Sequence, residues 1–188
     1  MIGILALQGA VEPHEKHFHA LGLKTLRVRQ AKDLERVQGL VLPGGESTTM
    51  LHLLRVFAMV DPLVARAREI PFWGICAGAI LMARELEGAS RGPGQFSLGI
   101  MDFSVERNAY GRQLESFTDD VLLTGGQRES STFIRAPRFR SWGKGVKVLG
   151  ERAGEPVFLG EGRHLVSAFH PELSTNLFFH EQFANSLS

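Results

Sequence analysis

Cysteine is almost absent: the 188 residues contain one, Cys76. That excludes an internal disulfide framework and any multi-cysteine zinc or iron–sulfur site, and an unpaired thiol suits a reducing compartment. An excess of one charge is lacking too. Lys and Arg number 21 against 20 Asp and Glu, a net +1 at pH 7, so no overall field points to nucleic acid or membrane. No apolar run approaches the ~18 residues that a membrane span needs. The opening MIGILALQGAVEPHE has no basic stretch ahead of its apolar residues, which reads as a first strand rather than a leader. Repeats, coiled-coil heptads, low-complexity tracts and dividing linkers are all missing. The expectation is a cytoplasmic chain whose residues 1–188 form one domain around one core.

What is present is alternation. Residues 2–8 are a buried-strand run ended by Gly9, and 14–21 look helical and stop at Gly22. A second strand is expected at 25–28, a short helix at 32–37 and a third strand at 39–43. GGESTT follows, then a helix at 48–57 and another opened by Asp61-Pro62. Residues 72–75 read as a fourth strand and 77–86 as a helix of strong formers. Strand and helix in this rhythm predict an α/β fold, a doubly wound, mostly parallel sheet with flanking helices. The second half changes character. After a loop at 88–94 come short strands at 98–106, 121–123, 132–135, 146–150, 156–160 and 164–169. Hairpin-like turns such as ERAGEP and GEGR join several of them, adding antiparallel strands. A helix at 176–187 closes the chain.

Cys76 falls where the fourth strand turns into a helix, inside FWGICAGAIL, with Gly74 and Gly78 two residues to either side. G-x-C-x-G is the spacing of a nucleophile elbow with sulfur in place of oxygen. So tight a turn strains its apex residue, and its neighbours two positions away must be small. The apex sulfur then lies at a helix start, where partial positive charge and free N–H groups favour a thiolate and can hold a developing oxyanion. The ordinary alternative is a packing atom, since lone cysteines are mostly buried.

A cysteine nucleophile needs a base and something to orient that base. Of seven histidines, His14, His17 and His19 crowd one early helix, where the pattern predicts a solvated face rather than a metal site. His52 and His180 sit in helices and read as structural, and His164 starts a strand. His170 ends the apolar strand of LVSAFHPEL, and functional groups of open parallel sheets gather at the carboxyl ends of strands. It is therefore expected on the same edge as Cys76, with Glu172 close enough to accept from its ring. PGGEST places Gly44 and Gly45 after another strand on that edge, so the N–H groups of Gly44, Gly45 and Ala77 are candidates for an oxyanion hole. A phosphate cradle is the weaker reading, because the Walker lysine is missing.

Taken together, these residues resemble the class I, triad-type glutamine amidotransferase family. PGGEST, GICAG and FHPE match its oxyanion strand, nucleophile elbow and His-x-Glu pair in that order. LALQGAVEPH, ERNAYGRQ and FIRAP narrow the resemblance to the glutaminase subunits of two-component pyridoxal 5′-phosphate synthases. The resemblance runs nearly end to end and is weakest at GASRGPGQ and PRFRSWGKG. It implies a flavodoxin-like fold, no cofactor and no metal, and hydrolysis of L-glutamine to L-glutamate and ammonia. It further implies Cys76, His170 and Glu172 as the triad and Gly45 and Ala77 as the oxyanion hole. Gly45, Glu46, Ser47, Arg107, Ile134 and Arg135 would hold the substrate. The implied partner is a (β/α)8-barrel synthase subunit arranged as a ring. Gln8 and Gly9 are expected near the oxyanion site, where docking of that partner would switch the site on.

Two other readings stay open on sequence. One is a cysteine amidohydrolase of the same fold acting on peptides or other amides. The other is a non-catalytic binding module with a structural thiol. IRAPRFRSWGKGVK carries five basic residues with Phe139 and Trp142 interleaved, but without overall positive charge it predicts a partner-facing or site-rimming surface rather than a nucleic-acid site.

Overall fold

The computed structural model describes residues 1–88, 96–107 and 116–187. The strands β1 (Ile2–Leu5), β2 (Thr25–Val28), β3 (Gly39–Leu42) and β4 (Phe72–Ile75) run parallel in the order β2-β1-β3-β4. β1, β3 and β4 are buried along their whole length. That is why they read as continuous apolar runs without alternation, as strands covered on both faces do. The covering helices are α1 (Val11–Ala20), α2 (Ala31–Leu34), α3 (Ser47–Val56), α4 (Val60–Ala67) and α5 (Ala77–Met82). α6 (Phe178–Asn185) packs Phe183 and His180 against Trp73 of β4.

The short strands that follow are β5 (Ala83–Glu87), β6 (Met101–Glu106), β7 (Phe117–Leu123), β8 (Arg128–Phe133), β9 (Arg138–Trp142), β10 (Val146–Arg152), β11 (Glu155–Glu161) and β12 (His164–Ser167). The main sheet has nine strands, β2-β1-β3-β4-β12-β11-β10-β7-β8. β12 joins β4 in parallel, and from β11 onward the pairing is antiparallel. β8, last in that order, returns to the functional edge, where Thr132 bridges His170. A separate three-stranded sheet, β5-β6-β9, lies beside it. This is the expected α/β architecture, with flanking helices and an antiparallel second half.

Two expectations are corrected, and one strand was not foreseen. The helix expected at 77–86 ends at Met82, where Ala83 takes extended backbone (φ −58°, ψ 149°). ARELE contains helix formers, but pairing of β5 with β6 and burial of Ala83 and Leu86 override local propensity. β9 lies in PRFRSWGKG, where charged residues hid a strand whose Phe139 packs edge-on against Phe103. The strand expected at 132–135 is shifted: β8 ends at Phe133, which leaves Ile134 and Arg135 free of the ladder. All of the loop 88–94 except Gly88, and most of ERNAYGRQ, lie outside the described residues.

Candidate active site

The site is built where β1, β3, β4 and β12 end. Cys76, the residue after β4, has φ 49° and ψ −99°, a left-handed conformation that residues with a Cβ enter only when the surroundings enforce it. The enforcement is visible. Its N–H donates to the Ser167 carbonyl at 2.8 Å, and its carbonyl accepts from the Ile80 N–H at 3.2 Å. The flanking glycines supply the room. A Cβ on Gly74 would stand 2.6 Å from the Gly78 carbonyl oxygen, and one on Gly78 would collide with the carbonyl of Leu42. The thiol is largely buried and directs its S–H toward the Ile134 carbonyl at 3.8 Å.

His170 is the third residue after β12. Its N–H donates to the Thr132 carbonyl at 2.8 Å, which fixes where the imidazole emerges. Pro171–Leu173 form a 3-10 turn, and this brings Glu172 back beneath the ring. His170 Nδ1 then donates to Glu172 Oε1 at 2.8 Å. Burial disfavours the His170 imidazolium, but hydrogen bonding and negative charge at Cys76 and Glu172 outweigh it and push the group up to about 10. Burial likewise works against the Glu172 carboxylate, yet its bond to His170 and the neighbouring His14 hold it below its ordinary range.

A cavity of about 320 Å³ opens over the thiol, lined by Gln8, Gly45, Glu46, Ser47, Cys76, Ala77, Arg107, Ile134, Arg135 and His170, with Ile80 at its wall. It thus brings together most of the residues singled out in the sequence. Glu172 sits behind His170, and Gly9 packs against Gly44 (φ 110°, Ala10 N–H to Gly44 carbonyl 3.2 Å), both off the lining. Gln8 Oε1 accepts from the Glu46 N–H at 3.0 Å, tying the segment after β1 to the one after β3. Glu46 caps α3, accepting from the N–H groups of Thr48 (3.0 Å) and Thr49 (2.7 Å). Burial opposes its charge, but the hydrogen bonds from Thr49 and Thr48 hold its carboxyl down at about 2. Arg107 reaches the same corner, 3.1 Å from Thr48 Oγ1 and 3.6 Å from Glu46 Oε1. Arg135 has φ 44°, a second strained residue on the cavity wall.

The solvated face expected for the early histidines is wrong for His14. It is fully buried, 2.9 Å from His180 and 3.7 Å from Glu172, whereas His17 is half-buried and His19 exposed. The signal was present in the sequence: Val11, His14 and Phe18 share the stripe of α1 that faces the sheet, at helical spacing.

The profile of the SNO glutamine amidotransferase family matches residues 4–188. This chain belongs to that family. Among curated relatives in it, the pyridoxal 5′-phosphate synthase subunit PdxT of Pelotomaculum thermopropionicum is 45% identical over 97% of this chain and 92% of that protein. The subunit of the same name from Thermus thermophilus is 43% identical over 97% of this chain and 95% of its own length. A crystal structure of a glutamine amidotransferase superimposes with TM-score 0.92 at 40% identity, covering 99% of this chain and 98% of the other. PurLQS from Thermotoga maritima, at 12% identity and TM-score 0.75, shares the fold.

Proposed function

We propose that this chain is the glutaminase subunit of a pyridoxal 5′-phosphate synthase, hydrolysing L-glutamine to L-glutamate and ammonia and supplying that ammonia for vitamin B6 biosynthesis. The observation that carries the reading is the strained elbow thiol facing a His170–Glu172 pair across one small cavity, in a chain of this family.

The Cys76 thiolate attacks the side-chain amide carbon of glutamine, and the C=O electron pair moves onto oxygen. Backbone N–H groups of Gly45 and Ala77 take up that oxyanion. Collapse of the tetrahedral species breaks the C–N bond as the His170 imidazolium gives its proton to the departing ammonia. A γ-glutamyl thioester remains. His170, now neutral, takes a proton from water, whose oxygen attacks the thioester and releases glutamate and the thiolate. Glu172 holds the imidazole in orientation and balances its charge. Gly45, Glu46, Ser47, Arg107, Ile134 and Arg135 hold the substrate, an arginine pairing with its α-carboxylate.

Free ammonia takes up a proton in water and stops being a nucleophile, so it must pass directly to a partner. That partner is a (β/α)8-barrel synthase subunit in a ring-shaped assembly, and its docking acts through Gln8 and Gly9 on the oxyanion site. The whole chain serves as one glutaminase domain, and the reaction belongs in the cytoplasm, where a free thiol stays reduced. No single helix among the described residues is long and apolar enough to cross a membrane.

Glutamate release from L-glutamine tests the reading, with and without the synthase subunit. The expected result is release that rises on adding the synthase and vanishes in Cys76→Ala. Gln8→Ala is expected to blunt the rise. No release by the wild type with the synthase present overturns the assignment, and equal rates with, without and in Gln8→Ala end the switch.

A further inference from the structure

The Glu172 carboxylate has two oxygens, and the mechanism uses one. Oε1 accepts from His170, whereas Oε2 is buried and has no hydrogen bond among the described residues. A buried carboxylate left half-paired is costly. The group facing Oε2 is His14 Nε2 at 3.7 Å, itself buried with no hydrogen bond among the described residues, and both side chains are fully shielded from solvent. That distance is too long for a hydrogen bond and short enough for attraction between a charge and a dipole. The other nitrogen of His14, Nδ1, lies 2.9 Å from His180 Nε2, so one hydrogen sits between the two rings.

Only two arrangements of neutral rings satisfy that contact. If His14 donates, its proton is on Nδ1 and a lone pair on Nε2 faces the carboxylate, which repels. If His180 donates, His14 carries its proton on Nε2 and aims an N–H dipole at Oε2, which attracts. Electrostatics selects the second. Burial, ahead of the charges around it, brings His14 down to about 4 and His180 down to about 2, so both rings are neutral at neutral pH. The groups facing His14 are Glu172 and His170 from the segment after β12, His17 from its own helix and His180 from α6. His17 stacks on His180 at 4.3 Å, with its nitrogens against the carbonyls of Pro13 (2.9 Å) and Ser174 (2.7 Å).

We propose that His14 is a positioning residue for the triad: its Nε2–H holds the second oxygen of Glu172, and His180 fixes the tautomer that makes this possible. The inference rests on the proposed roles of His170 and Glu172. It extends the relay to His180, His14, Glu172, His170 and Cys76, with helices from opposite ends of the chain, α1 and α6, behind the carboxylate.

Two measurements test it. In the native protein, ¹⁵N spectroscopy of the histidine rings is expected to show His14 neutral and protonated on Nε2; protonation on Nδ1 overturns the proposal. In the assembly with the synthase, His14→Phe is expected to lower kcat for glutamine about tenfold or more, as loss of a group orienting a functional side chain does, with KM unchanged. The alkaline limb of the pH profile moves to lower pH, because the His170 imidazolium loses part of the support of its counter-charge. His14→Gln, whose amide nitrogen reaches the Nε2 position, is expected to restore most of the rate. A folded His14→Phe with wild-type kcat and pH profile, or equal losses in both variants, also overturns it. If His14→Phe does not fold, the ring spectra decide. Wild-type protein that turns over no glutamine sinks the glutaminase reading instead, and leaves the tautomer result standing by itself.

Discussion

The backbone N–H of Cys76 donates to the carbonyl of Ser167 at 2.8 Å. One bond therefore ties the elbow to the strand that delivers His170, and the thiol and the imidazole share a reference frame. The strain at Cys76 is sustained by this bond and by the close approach of Gly74 and Gly78.

Gly78→Ala tests that construction. The added methyl would meet the Leu42 carbonyl, backbone of a fully buried strand that has no room to retreat. Overpacking of this kind costs about 1–3 kcal/mol, and Tm falls roughly 2–4 °C per kcal/mol in a chain of this size. Calorimetry is expected to show the fall, together with slower alkylation of Cys76 by a γ-electrophilic glutamine analogue. Unchanged Tm and alkylation rate would show that the elbow tolerates a side chain there.

Glu46 carries two duties, lining the cavity and capping α3. Glu46→Ala is expected to lose about 0.5–2 kcal/mol of stability in urea at pH 7, the usual cost of a lost cap. The carboxyl is depressed in the folded state, so its ionic contribution is present above its ordinary value of 4.5 and is lost as pH falls through about 2. The gap between wild type and Glu46→Gln should accordingly narrow across that window. A gap independent of pH would mean that the charge contributes nothing to the cap.

His170 has the opposite sign. Its folded value is raised from 6.5 to about 10, so its contribution to stability is complete below pH 6.5 and disappears as pH rises through about 10. Thermal stability of the wild type is expected to decline across that range more steeply than that of Cys76→Ala, which lacks the sulfur beside His170. In NMR titrations the midpoint of His170 should move down in Glu172→Gln. An unchanged midpoint would remove Glu172 as the counter-charge.

Much of this molecule was legible in the sequence because its signals are local. Residues 2–5, 39–42 and 72–75 are apolar throughout since both faces are covered, and glycines on either side of Cys76 announce a turn that nothing larger allows. What was hidden depends on distant pairing. Ala83–Glu87 has helical propensity and becomes a strand only because β6 lies beside it. Arg138–Trp142 is mostly polar or charged and pairs with β6 through Phe139 and Trp142. His14 looked solvated among charged neighbours, although its helix stripe with Phe18 placed it in the interior.

The order of the sheet has a consequence for synthesis on the ribosome. β12, which follows both β4 and β11 in the chain, inserts between them and pairs with β4 in parallel. Until it emerges, β4 is left as an open apolar edge, with neither the Ser167 carbonyl that holds the elbow nor an imidazole beside the thiol. A product terminated before β12 would thus be both inert and sticky, and only arrival of that strand closes the edge and arms the sulfur in a single event.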